Sequence, residues 1–210
     1  MFKKFLISSI CSSTILLAQS GAGINVNEDD FEIEGTLDSR NLQALQTSST
    51  IYLADFNFIN VEDNKKTAKL MGAGVGATNK FEGAEGVELT FGAKAILANV
   101  DDNSDSKLDD NKWFAALPLM AMIRYTFPPL MFNIPPISIE TKGLYAPKAL
   151  SFGDSHQYSE FRVNVDIEMI ENIKLYTGYR NIITGFAVGD KDNEDYIFSN
   201  GFYGGLKFTY

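Results

Sequence analysis

Apolar and polar residues alternate with a period of two along most of the chain, the pattern of strands whose two faces meet different surroundings. Residues 159–169 place Phe161, Val163, Val165, Ile167 and Met169 on one face and Glu160, Arg162, Asn164, Asp166 and Glu168 on the other. The last residues repeat the pattern, with Phe202, Gly204, Leu206, Phe208 and Tyr210 set against Tyr203, Gly205, Lys207 and Thr209. Related stretches fall at roughly 50–60, 67–78, 87–98, 113–127, 137–147 and 173–187. Counted from residue 50 they make eight strands, and no convincing amphipathic helix interrupts them.

Alternation on this scale predicts an all-β fold, but not which face is wet. A soluble sandwich or lipocalin-like barrel buries the apolar face, whereas a membrane barrel turns it to lipid. Three features favour an antiparallel transmembrane β-barrel. Aromatic residues cluster near strand ends. The long connections 61–66, 99–112, 148–157 and 188–199, most of them acidic, fall on one side of the alternating topology, and 79–86, 128–136 and 170–172 fall on the other. The final strand ends on alternating aromatics, the form that barrel-assembly machinery recognises, through Phe208 and Tyr210. With a periplasmic C-terminus, the acidic connections face outside.

Two stretches complicate the pattern. Trp113–Ile123 is apolar on both faces and contains Pro118, which donates no ladder hydrogen bond. A bulged strand accommodates it and places Trp113 and Tyr125 near the two membrane interfaces. Residues 24–49 leave the strand count open: Phe31–Leu37 reads as one more strand, and bacterial barrels have even counts. Either 41–47 completes a hairpin with it, giving ten strands, or the segment stays periplasmic and eight remain.

The chain begins Met1, Phe2, Lys3, Lys4 and then runs apolar from Phe5 to Ala18, the form of a secretory signal peptide over residues 1–20. Small residues at Ala18, Ser20 and Ala22 set cleavage after Ser20 or after Ala22. The expected division is therefore a leader at 1–20, an N-terminal segment at 21–49, and a barrel at 50–210. The single cysteine, Cys11, lies inside the apolar run without a lipoprotein context, so the processed chain has neither disulfide nor thiolate metal site. Losing Lys3 and Lys4 lowers the basic count from 18 to 16 against 27 acidic residues, which takes the formal charge from −9 to −11. Such a chain is unsuited to nucleic acid. The expected partners are outer-membrane lipids and lipopolysaccharide, and no cofactor is implied.

On the membrane reading, the lumen receives Glu88, Lys94, Arg124, Glu140, Lys142, Glu160, Arg162, Asp166, Glu168, Lys174, Arg180 and Lys207. An eight-stranded barrel is only wide enough for its own side chains, and buried charges persist when paired. An internal salt-bridge plug follows. The rival is a narrow charge-lined pore, helped by the small volumes of Gly72, Gly74, Gly76, Gly178 and Gly205.

Candidate chemistry is sparse. His156, the sole histidine, sits beside Ser155 and near Glu160 in a polar loop, the residue types an outer-rim enzyme editing lipid A acyl chains would use. Adjacency in sequence does not make a relay, and a surface histidine is the default. Asp101, Asn103, Asp105 and Asp109 follow the alternate oxygen spacing of a calcium loop, but Ser106 replaces the turn glycine and Lys112 the bidentate glutamate. A solvated acidic loop is the plainer interpretation, for these and for Asp190, Asp192, Glu194 and Asp195.

The segments Leu89–Leu97 (LTFGAKAIL), Ile139–Asp154 (IETKGLYAPKALSFGD), Gly178–Ile182 (GYRNI) and Phe202–Tyr210 (FYGGLKFTY) together resemble the YfaZ family of outer-membrane proteins. The resemblance spans roughly 50–210 and rests on strand order, glycine and aromatic rhythm and the terminal strand. It implies an outer-membrane barrel, sometimes described as a porin, and transfers no functional residue. The expected role is structural or permeability-related, through a narrow or plugged barrel, and not enzymatic. Lipid A modification through His156 and adhesion by the outer loops are the alternatives.

Overall fold

The computed structural model describes residues 20–41, 50–63, 66–102, 112–127, 135–188 and 192–209. Cys11, Asn103, Asp105, Asp109, Asp190, Tyr210 and the leader before Ser20 lie outside them. The strands are β1 (Gly21–Val26), β2 (Asp30–Asp38), β3 (Ile51–Asp63), β4 (Lys66–Lys80), β5 (Val87–Asp102) and β6 (Lys112–Ala116). They continue with β7 (Leu119–Thr126), β8 (Ile137–Ala146), β9 (Ser151–Gly153), β10 (Ser155–Ile170), β11 (Ile173–Val188) and β12 (Asp192–Thr209). Each pairs antiparallel with its neighbours, and β12 returns to β1 to close the sheet.

β6 and β7 are two parts of one strand, since both pair with β5. They are separated at Leu117 and Pro118, where the Pro118 carbonyl accepts from the Lys94 amide at 3.0 Å. β9 similarly continues β8 after a 3-10 turn at Lys148–Leu150. The closed barrel therefore has ten strands.

Of the two counts left open by the sequence, ten is formed and eight falls short. β2, which contains Phe31–Leu37, forms its hairpin with Gly21–Val26, in register Ala22↔Gly35 and Ile24↔Ile33, and pairs on its other edge with β3; residues 42–47 lie outside those described. β1 gives little signal of its own, because Gly21, Ala22 and Gly23 add almost no apolar area and adjoin the leader. Pairing reveals its place: Ala22↔Phe208 and Ile24↔Leu206 align its small apolar face with that of the final strand.

The segments 148–157 and 188–199, expected as loops, are largely strand, because β9, β10 and β12 run on past the apolar alternation. At the opposite end, the end that holds Gly21 and Thr209, one turn is tight. β10 meets β11 through Glu171 and Asn172, and Asn172 adopts φ 71°, a conformation asparagine tolerates better than most residues.

Candidate functional site

The barrel is apolar outside and charged inside over the half nearer Gly21 and Thr209. Phe202 (80% exposed), Val75 (66%), Phe91 (65%) and Leu119 (63%) point outward. Large apolar side chains so exposed on every side of a closed sheet have no protein partner; a hydrocarbon solvent is what makes them stable. The alternate positions of the strands point inward, and Glu32, Lys94, Glu160, Arg162, Asp166 and Arg180 among them carry charge.

Those inward side chains build three layers. Nearest the terminal end is an open cavity of about 550 Å³. Glu88, Lys94, Arg124, Glu140, Lys142, Arg162, Asp166, Glu168, Lys174 and Lys207 line it, so ten of the twelve residues proposed for the lumen meet there. Arg124 Nη2 donates to Asp166 at 2.7 Å, and Lys207 stands 3.8 Å from Glu34. At the rim, Arg40 bridges Asp38 (2.5 Å) and Glu88 (3.0 Å). Hydrogen bonding by the Asp38 carboxylate raises the Arg40 pKa further above its ordinary value.

The second layer is a belt of buried ion pairs. The remaining two residues, Glu160 and Arg180, sit in it. Arg180 is wholly buried and reaches from β11 to both Asp30 and Glu32 on β2, with Asn25 Oδ1 at 3.2 Å, Ser199 Oγ at 3.1 Å and the Tyr203 ring centroid at 5.0 Å. Arg162 donates to Glu32 at 2.8 Å and to Glu160, whose other oxygen accepts from Tyr158 Oη at 2.7 Å. Lys94 and Lys142 share Asp55, the latter at 3.2 Å. Four carboxylates thus face four cations, the pairing that makes burial tolerable.

The third layer is apolar. Ile59, Val61, Leu70, Ile96, Val100, Leu144 and Ile182 pack inside the barrel around Phe114, Tyr158, Phe186, Tyr196 and Phe198. Phe114 lies 5.8 Å from the centroids of both Phe186 and Phe198 in edge-on contact, and Tyr196 lies 4.9 Å from Phe198. These side chains fill the lumen beyond the ion-pair belt.

Several belt members were not singled out from sequence: Asn25, Asp30, Glu32, Asp55 and Asn57. The signal existed for some. Asp30, Glu32 and Glu34 alternate with Phe31 and Ile33, and Asp55 and Asn57 alternate with Phe56 and Phe58, which carries them to the charged face once the apolar face is set outward. Gly72 serves the same belt, because a Cβ there would overlap the Asn57 amide oxygen and the Lys94 stem.

The three residues considered for acyl chemistry are not assembled. Ser155 Oγ is engaged with Thr184 Oγ1 and the Gln157 carbonyl, both at 2.9 Å. His156 occupies a bulge with its ring against Gly185, and its buried Nδ1 has no hydrogen-bond partner. Glu160 is committed to Arg162 and Tyr158. Asp101 is exposed at the far end of β5, and among the described residues no group of three or more potential ligands could hold a metal ion.

A closed antiparallel sheet with lipid-compatible exterior and charged interior defines a transmembrane β-barrel of the outer-membrane class. Within that class, residues 128–210 match the family model described as YfaZ precursor, a span carrying β8 to β12. No curated protein matches the chain. Among solved structures, the translocator domain of the autotransporter NalP from Neisseria meningitidis aligns over 100% of this chain and 94% of its own, with 9% identity and a TM-score of 0.38.

Proposed function

We propose that this protein is a small outer-membrane barrel that does not conduct, a structural or barrier element whose lumen is sealed and whose charged vestibule opens to the periplasm. The observation that supports this reading is the packing inside the barrel: the aromatic cluster around Phe114 stands in series with a belt of charge pairs, an arrangement that opposes passage of a hydrated ion. Both ends of the sheet, Gly21 and Thr209, then lie on the periplasmic side. Assembly proceeds through the terminal strand with Phe208 and Tyr210, and the exterior contacts outer-membrane lipid and lipopolysaccharide.

Planar-bilayer recording tests the seal. The natural protein is expected to give no steady current, whereas Phe114→Ala combined with Phe198→Ala removes two side chains from the centre of the seal and should admit brief openings. A stable ohmic conductance of the natural protein would replace this reading with the narrow-pore one. A rim hydrolase has less support, since Ser155 and Glu160 are already engaged and His156 contacts neither as a relay would require.

A further inference from the structure

Along the long strands, the inward and outward faces exchange character part-way. In β3 the outward side reads Tyr52, Ala54, Phe56, Phe58 and then Asn60, Glu62, while the inward side passes from Asp55, Asn57 to Ile59, Val61. β4 changes between Met71 and Lys69 outside, and between Gly72 and Leu70 inside. β5 changes between Leu97 and Asn99 outside, and between Lys94 and Ile96 inside. β10 changes at Phe161 and Ser159, with Glu160 giving way to Tyr158 within. In β12 the outward Phe202 is followed by Asn200, and the inward side passes from Ser199 to Phe198 and Tyr196 through a bulge.

The reversals fall together in space. Asn60, Lys69, Asn99 and Trp113 are successive cross-strand partners over β3, β4, β5 and β6, and Asn200 is paired with Asn181 on β11. The short β1–β2 hairpin ends at the same place: Asn27, in its turn, donates to Ser199 Oγ at 3.3 Å, and the turn's Glu28 and Asp29 are exposed.

One strand cannot keep a single face apolar in both lipid and water. In hydrocarbon the outward side must be apolar; in water, apolar area turns inward at roughly 25 cal/mol for each Å² removed from solvent. A reversal on both faces at once therefore marks a change of solvent. The apolar-outward part of these strands runs for roughly seven to eleven residues, comparable to the 9–11 that a tilted strand uses to cross.

We infer that the outer surface of the bilayer runs through this ring of reversals, and that the strands beyond it stand in the external medium as a water-soluble barrel tip with its own apolar core. The interaction surface has two parts: acyl chains meet the wall up to Phe58, Met71, Leu97 and Phe202, and phosphorylated headgroups meet Asn60, Lys69, Asn99 and Trp113. The aromatic seal then lies at and above the headgroups rather than in the hydrocarbon slab. This inference rests on the outer-membrane orientation proposed above.

Cysteine accessibility in whole cells tests it, and Cys11 is the only native cysteine. Single variants Lys69→Cys, Asn99→Cys and Asn200→Cys lie on the polar side of the ring itself, Val75→Cys, Ala95→Cys and Phe202→Cys lie below it, and Glu85→Cys marks the terminal end. A membrane-impermeant maleimide should label the first three in intact cells at least tenfold faster than the second three, which react only after denaturation. Glu85→Cys should react only once the outer membrane is opened. Protection of residues 69, 99 and 200 with Glu85 behaving as stated would overturn the boundary and leave the orientation standing. Labelling of Glu85 in intact cells, or equal labelling everywhere, would overturn the orientation and the boundary with it.

Discussion

Replacing Arg180 with methionine isolates the contribution of the ion-pair belt, because methionine keeps most of the length and loses the charge. Arg180 is fully buried and ties β11 to Asp30 and Glu32 of β2, to Asn25 of β1 and to Ser199 of β12. After Arg180→Met, Glu32 retains Arg162 at 2.8 Å, but Asp30 retains only Asn27 Nδ2, also at 2.8 Å, and no cation. Stripping one member from a buried pair costs about 3–5 kcal/mol. That loss should appear as an earlier denaturant midpoint when the barrel is unfolded from phospholipid vesicles and followed by Trp113, the one tryptophan. Asp30→Asn in the Arg180→Met background removes the stranded carboxylate, so the double variant should be more stable than the sum of the singles by about 1–3 kcal/mol. A loss under about 1 kcal/mol for Arg180→Met, or strict additivity in the cycle, would show that the belt does not hold the β1–β2 hairpin in the wall.

Overpacking gives a second test: Gly72→Val should destabilise by about 1–3 kcal/mol as its side chain displaces Asn57 and Lys94, whereas Gly35→Ala, with open space around it, should stay close to the natural protein in the same unfolding assay. Equal stability of the two would remove the packing role given to Gly72. Processing is expected after Ser20, because cleavage after Ala22 would delete the pairs Gly21↔Thr209 and Ala22↔Phe208 that close the barrel. Intact-mass measurement of the purified protein should report Gly21 as the first residue, and a chain starting at Gly23 would refute this.

Strands were legible wherever the apolar face was continuous, as in Phe161 to Met169, where alternation also gave Arg162 and Asp166 their side of the wall. The β1–β2 hairpin was not, since Gly21 and Gly23 bury almost nothing by themselves and the strand gains its meaning from Phe208 and Leu206 across the seam. The acidic stretch at 192–195 suggested a loop because local charge hid a strand whose apolar partners, Tyr196 and Phe198, belong to a different core from Leu206 and Phe208.

What the sequence by itself determined is a period of two, an aromatic terminal strand and a set of charges that share one face, since strand geometry alone sends alternate residues to opposite sides. Only the tertiary structure decided the number of strands, the partners of each charge, and the point at which the two faces change roles. Closure is a long-range event: Arg180 meets Asp30 and Glu32 only after β12 has paired with β1, and Phe114 meets Phe186 and Phe198 only across the lumen. Whether a face is wet or greasy depends on the solvent at that height of the barrel, and a strand carries that information only in register with its neighbours.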